Sequence, residues 1–178
     1  MAPAWAIRAA GPEDAPALAL VGAATFLETF AGTVDGGAIV RHCARVHSAE
    51  AYARQFRDGA SAFLATTSPG DAPVGYALLG RPDLPGAADG DIELKRIYAL
   101  SRFHGSGLGN ALMAAALAAA AGHRRLALGV YRGNARALAF YARHGFATVG
   151  ERRFDVGGIA YDDLVLARPL SIPALKPR

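Results

Sequence analysis

Residues 98–113 read Y-A-L-S-R-F-H-G-S-G-L-G-N-A-L-M, and the fold is decided by how this stretch is parsed. A strand ends, glycines follow at the alternate positions 105, 107 and 109, and an alanine-rich helix begins over Asn110–Ala121. Glycine lets backbone N–H groups approach a ligand with no Cβ in the way. The first turn of the new helix adds unsatisfied donors and the positive end of the helix dipole. Together these suit a pyrophosphate, although a tight strand-to-helix turn without a ligand uses the same residues. Two other phosphate motifs do not fit. A Walker loop needs G-x-x-x-x-G-K-S/T, and this turn has no lysine. A dinucleotide fingerprint needs G-x-G-x-x-G beside a first strand, and Gly105, Gly107 and Gly109 have the wrong spacing.

Outward from the turn, the chain alternates between periods. Asp91–Leu100 reads as the strand that feeds it, with Ile92, Leu94, Arg96 and Tyr98 on one face and Glu93, Lys95 and Ile97 on the other. Upstream, Ala62–Thr67 and Val74–Leu79 form a hairpin around Ser68-Pro69-Gly70-Asp71. Before them come a strand at Trp5–Ala9, a helix from Pro12 through Phe30, and short helices at Ile39–Val46 and Ala49–Phe56, the last with Ser48 as a cap. Downstream lie a strand at Arg125–Val130, a helix at Asn134–His144 stopped by Gly145, and two strands, Phe146–Gly150 and Ile159–Ala167, joined through Gly157-Gly158. The order predicts an α/β fold, a mixed sheet layered with helices. Residues 1–170 read as one domain, and the proline-bearing end from Pro169, including 171–178, as a loose tail.

Composition removes several classes. Of 178 residues, 52% are apolar and 19% charged, which argues against disorder. One cysteine, Cys43, excludes an internal disulfide framework and a four-cysteine zinc site. No apolar run reaches the roughly 18–20 residues of a membrane helix, and the start lacks the order of a secretion signal, so the expected location is cytoplasmic. The net charge of +4 comes without a basic stripe, which disfavours nucleic acid. His42, His47, His104, His123 and His144 show no close metal spacing, so no metal is expected.

The turn resembles the acetyl-coenzyme A signature of the GNAT family of N-acetyltransferases, Gln/Arg-x-x-Gly-x-Gly/Ala. Arg102-x-x-Gly105-x-Gly107 matches it literally. His104-x-x-Gly107-x-Gly109 departs by one residue, yet places Gly109-Asn110-Ala111-Leu112-Met113 where the family's helix begins, and is the preferred register. A second stretch, Asn134 to Phe146, is similar to the family's N-x-x-A-x-x-F/L-Y-x-x-x-G-F motif through Asn134, Ala137, Phe140, Tyr141, Gly145 and Phe146. Asn134 and Tyr141 are seven apart, two helical turns, and share a face. The resemblance covers Ala62 to Phe146 well. Residues 24–32 and the Glu93–Tyr98 strand look like members that acetylate polyamines or other small amines.

The resemblance implies a largely antiparallel sheet of about seven strands with helices on both faces. It implies acetyl-coenzyme A as co-substrate, held by the amides of Gly105, Ser106, Gly107, Leu108, Gly109 and Asn110, by His104 and Asn134, and by the strand end Ile97, Tyr98 and Ala99, one of whose N–H groups can polarise the thioester. It implies Glu93 as base, directly or through water, and Tyr141 as acid to the departing thiolate. Read without the family, Glu93 is equally an ion-pair partner for Lys95, and Tyr141 a half-buried tyrosine. Arg102, Arg132 and Arg136 are surface arginines or partners of a 3′-phosphate. The acceptor is expected between the early helices and the last strands, with Glu28, Phe30 and Glu93 as candidate contacts. Were Glu28, Asp35, Glu151, Asp155, Asp162 and Asp163 to cluster there, they would favour a polyamine. The implied partners are a small-molecule or peptide amine and, as an oligomeric option, a second copy of the chain, with no nucleic acid and no membrane. Two other classes compete: an inactive acyl-coenzyme A sensor of the same fold, and an unrelated nucleotide-binding α/β protein.

Overall fold

The computed structural model describes residues 4–170. Its strands are β1 (Ala4–Ala10), β2 (Ser61–Ser68), β3 (Pro73–Gly80), β4 (Asp91–Ala99), β5 (Arg125–Tyr131), β6 (Ala147–Val156) and β7 (Ile159–Pro169). They form one seven-stranded sheet in the order β1-β2-β3-β4-β5-β7-β6. Every neighbouring pair is antiparallel except β4 and β5. The helices are α1 (Ala15–Phe30), α2 (Gly36–Val46), α3 (Ala49–Arg57), α4 (Leu108–Ala119) and α5 (Ala135–Arg143). None is long and apolar enough to cross a membrane.

Local chemistry sets the helix ends. Asp35 accepts from the Ala38 amide at 2.8 Å, Ser48 from Ala51 at 3.1 Å and Asn134 from Ala137 at 3.1 Å, each satisfying an orphan donor. One face of the sheet buries Leu79, Leu94, Leu126 and Leu128 against Leu108, Leu112, Met113 and Ala116 of α4 and Tyr141 of α5. The other buries Leu64, Tyr76 and Leu78 against Leu18 and Val21 of α1 and Tyr52 of α3.

Several boundaries differ from expectation: β6 runs on to Val156 instead of stopping at Gly150, α2 begins at Gly36 instead of Ile39, and two further differences have local causes. The helix after the glycine turn begins at Leu108, not Asn110, because Gly107 takes the left-handed cap conformation and the helix can start at once. The chain from Pro169 is also not loose at its start. Pro169 pairs with Arg125 across the ladder, and the Leu170 amide donates to Arg124 at 3.0 Å. Residues 171–178, expected as a tail, lie outside the described residues.

The decisive feature is how little β4 and β5 share. They pair only at Asp91↔Arg125, Ile92↔Leu126 and Glu93↔Ala127, then diverge. Asp91 fastens the narrow end. Its carboxylate is 2.7 Å from the Arg124 guanidinium and 2.9 Å from that of Arg125, and it accepts from the Ala88 amide at 3.0 Å.

Under α1 lies a buried polar chain. His47 Nδ1 hydrogen-bonds the Tyr52 hydroxyl at 2.8 Å, and that hydroxyl bonds Tyr76. Gly22 makes room for it, since a Cβ there would sit 2.5 Å from His47 Nδ1 and 2.5 Å from Tyr52 Oη. Burial, reinforced by the charge of Arg96, pushes His42 down to about 4 and His47 to about 3.

Two outcomes follow from this core. Gly22→Ala, which in an open helix would gain about 1 kcal/mol, is expected to cost about 1–3 kcal/mol in urea denaturation through overpacking. Stability should also fall with acidity. The unfolded chain protonates His42 and His47 near 6.5, whereas the folded chain resists until about 4 and about 3. Stabilisation is therefore complete above pH 6.5 and lost below it, by up to about 1.4 kcal/mol per pH unit per histidine. A denaturation midpoint that stays flat from pH 7 to 4.5 contradicts this.

Candidate functional site

The glycine turn lines a cavity of about 490 Å³. β4 ends at Ala99, one 3-10 turn spans Ser101–Phe103, and the backbone then turns through Gly105 (φ +79°) and Gly107 (φ +86°) into α4. Side chains rarely adopt these angles, which explains glycine at both positions. The amides of Gly105, Gly107, Gly109 and Asn110 make no backbone hydrogen bond among the described residues, and all four residues line the cavity. Six amides were expected here, and two are otherwise engaged. The Ser106 amide donates to the Phe103 carbonyl at 3.2 Å, and the Ser106 hydroxyl to the same carbonyl at 2.7 Å. The Leu108 amide lies 3.4 Å from Ser106 Oγ, while its side chain is fully buried in the core. Four outward amides at a helix N-terminus remain a fitting cradle for a pyrophosphate.

His104 lines this cavity and Arg102 does not, which suits the His104 register. Its Nε2–H donates to the Ala99 carbonyl at 3.0 Å, tying the turn to the strand end. The open edge of β4 forms the next wall. The Leu100 amide donates to Val74 at 2.9 Å, so alternation directs the backbone groups of Tyr98 to β3 and those of Ile97 and Ala99 to the divergence. Of the three expected residues, Ile97 therefore turns its backbone groups to the divergence, Ala99 turns its N–H there while His104 holds its carbonyl, and Tyr98 offers its ring.

Helix α5 closes the far side. Asn134 and Tyr141 both line the cavity, as their seven-residue spacing predicts. Arg136 and Arg143 do so too. Arg143 was missed in the sequence, although it stands seven residues from Arg136, the same signal. Arg132 instead pairs with Glu151 at 2.6 Å. Tyr141 is 9% exposed, and burial raises its phenol far above its usual range, so it stays protonated.

The second cavity, about 260 Å³, lies on the α1–α2 side of the divergence. Phe26, Phe30, Tyr98, Gly129 and Tyr131 line both cavities, so the two meet there. Glu93 faces the second cavity. Its Oε2 accepts from Lys95 Nζ at 2.7 Å and from the Asp83 amide at 2.8 Å. The ion pair weighed for Glu93 is thus real, but it stands in the cavity wall, with the Glu93 side chain 7% exposed.

The expected alternation along β4 breaks here. Leu94 pairs with Leu79 and Arg96 with Leu78, so Lys95 is the extra residue of a β-bulge. Beyond it the faces exchange. Ile92, Leu94 and Ile97 pack toward α4, while Glu93, Arg96 and Tyr98 line the second cavity.

The acids expected to gather around a cationic acceptor do not converge. Glu28 accepts from the Ser101 amide at 3.0 Å and the Ser101 hydroxyl at 3.1 Å, and lines neither cavity. Asp35 caps α2, Asp155 pairs with Arg45 at 3.1 Å, and Asp162 lies 3.8 Å from Arg153. Only Asp163 reaches the cavity wall, and Arg152 holds it at 3.1 Å. Phe30 lines both cavities.

The chain is similar to known proteins in sequence and in fold. The sequence model of the Acetyltransferase (GNAT) family matches residues 37–146. Uncharacterized N-acetyltransferases of Mycobacterium tuberculosis and Mycobacterium bovis are 38% identical over 159 residues, covering 88% of this chain and 98% of theirs. Among solved structures, the PaiA N-acetyltransferase of Thermoplasma acidophilum in complex with coenzyme A superposes with a TM-score of 0.75 at 19% identity, covering 93% of this chain and 99% of that one. A ribosomal-protein-alanine N-acetyltransferase of Brucella melitensis does so with a TM-score of 0.67 at 26% identity, over 93% of this chain and 99% of that one. With its family model and its relatives in agreement, this chain belongs to the GNAT family of acetyltransferases.

Proposed function

We propose that the chain transfers acetyl from acetyl-coenzyme A to the primary amine of a small molecule by direct attack, with Glu93 as base and Tyr141 as acid. The observation that carries this reading is the meeting of the two cavities at the β4–β5 divergence, with Glu93 on one side and Tyr141 on the other. Acetyl-coenzyme A supplies an activated thioester, and the chain's residues do the rest.

The free amides of Gly105, Gly107, Gly109 and Asn110 hold the pyrophosphate. The open backbone edge at Ile97 and Ala99 pairs with the pantetheine arm, and an N–H of this edge steadies negative charge on the thioester oxygen. An alkylammonium, with a pKa near 10.4 as for lysine, must lose a proton before its nitrogen can attack. Glu93 accepts that proton, directly or through water. Nitrogen then bonds to the carbonyl carbon, the carbon–sulfur bond breaks, and the nitrogen sheds its second proton to water, from which the Tyr141 phenol is restored once it has protonated the sulfur. The sulfur leaves as thiolate and takes the Tyr141 phenolic proton, which burial keeps in place until then. Of the acids that would have favoured a polyamine by clustering, only Asp163 faces the acceptor cavity.

Acetyl-coenzyme A at about a hundred times its Kd should stabilise the fold by about 2.7 kcal/mol, a rise of several degrees in Tm. Gly107→Val, forced into φ +86°, should abolish that rise. A wild-type protein that gains no stability from acetyl-coenzyme A contradicts the reading. In a thiol-release assay over an amine panel, Glu93→Gln should lower kcat by roughly 10²–10⁴-fold, and a loss below about fivefold removes it as base. Tyr141→Phe should lower kcat more than it weakens coenzyme binding, and unchanged turnover removes it as acid.

A further inference from the structure

The two carboxylates buried in the acceptor wall are both neutralised, Glu93 by Lys95 at 2.7 Å and Asp163 by Arg152 at 3.1 Å. Arg96, half-buried, stands in the same wall, and none of the ion pairs or side-chain hydrogen bonds of the described residues involves it. Asp83, at the exposed rim, makes no ion pair with it either. The charge of Glu93 and the phenols of Tyr76, Tyr52 and Tyr98 act on it from nearby, yet no counter-ion touches it. The guanidinium is held in place by aromatic contact, its Cζ lying 5.4 Å from the centroid of the Tyr52 ring. Stacking occupies the flat face of a guanidinium and leaves its edge N–H donors free. Arg96 does not line the coenzyme cavity, so the phosphates of the coenzyme are not its partner.

The geometry points to an acceptor that carries a carboxylate as well as its amine, an amino acid in chemical class, with Arg96 as the residue that selects it. This rests on the acetyltransferase reading above. The β-bulge at Lys95 makes Glu93 and Arg96 neighbours on one face of β4, and such neighbours are about 7 Å apart along a strand. Both side chains line one cavity wall, so an acceptor's amine faces Glu93 while its carboxylate faces Arg96. A guanidinium edge and a carboxylate match in a two-point contact, which a diamine or polyamine cannot make. The cavity of about 260 Å³ has room for a small molecule.

The test compares L-amino acids with their amides, their decarboxylated amines, putrescine and spermidine, each with acetyl-coenzyme A, by thiol release. The expected result is a kcat/KM for the best acid-bearing amine roughly ten- to a hundredfold above that for its amide. In Arg96→Gln that ratio falls toward one, mainly through KM, and Arg96→Lys recovers part of it. Equal or better use of the amide, the decarboxylated amine or a polyamine overturns the inference, as does an Arg96→Gln that slows every amine alike. Binding is read separately by thermal shift. The acid-bearing amine should raise the Tm of the wild type and its amide should not, and equal shifts or none overturn the inference even where transfer is observed. Thiol release from no amine at all counts against the transferase reading instead, and the thermal shift still decides on the carboxylate.

Discussion

Everything at the site follows from three residue pairs between two parallel strands. β4 and β5 hold together from Asp91 to Glu93 and then separate. Separation exposes backbone groups in mid-sheet, where they would normally be paired, and an edge of this kind either finds a partner or destabilises the sheet. The chain supports it by fastening the narrow end. Asp91, with its side chain 1% exposed, draws Arg124 and Arg125 onto one carboxylate. Beyond that point the two strands are carried by different neighbours, β4 by β3 and β5 by β7. The gap is thus a consequence of which strands pair, and its walls can carry chemistry without disturbing either half of the sheet.

The residues that build the site are those that break local rules. Gly107 takes a left-handed conformation to free the amides that follow it. Lys95 is the surplus residue of a bulge and turns Arg96 toward the acceptor. Gly129 leaves β5 without a side chain at the junction of the cavities, and a Cβ there would collide with the guanidinium of Arg152. Glycine in a strand interior weakens it, and the benefit here is twofold. Arg152 reaches Asp163, and the passage between the cavities stays open.

The order of elements was legible because strong local signals agreed: turn chemistry at residues 68–71, caps at Ser48 and Asn134, and glycine stops at 122 and 145. The coenzyme side was legible for the same reason, since it is built from two contiguous segments, residues 104–110 and 134–141. The acceptor side was not. Its wall comes from α1, α2, β4, β5, β6 and β7, and a bulge at Lys95 reverses the face of every later residue on that strand, which alternation alone cannot reveal. The acids of the last two strands read as a possible anionic cluster because their ion partners, Arg132 and Arg45 from other elements and Arg152 and Arg153 across the β6–β7 ladder, are set by strand pairing and packing that the linear order does not show. Ser106 and Leu108 read as ligand donors because a hydroxyl that folds back on its own turn leaves no trace in a motif.

The electrostatics of the acceptor side form one connected system. A guanidinium without a counter-ion lowers the proton affinity of every base around it, and His42 and His47 are both pushed down, by burial first and by Arg96 next. His42 stacks on Phe26 with ring centroids 4.4 Å apart, which places a neutral imidazole in the cavity wall beside the aromatic floor. Tyr52 is raised to about 12 by burial, so it remains a neutral hydroxyl between His47 and Tyr76. A single fixed positive charge therefore sits among neutral imidazoles, neutral phenols and self-cancelling ion pairs. In such surroundings the charge is less screened than on the open surface, and an anionic group entering the cavity is drawn to it.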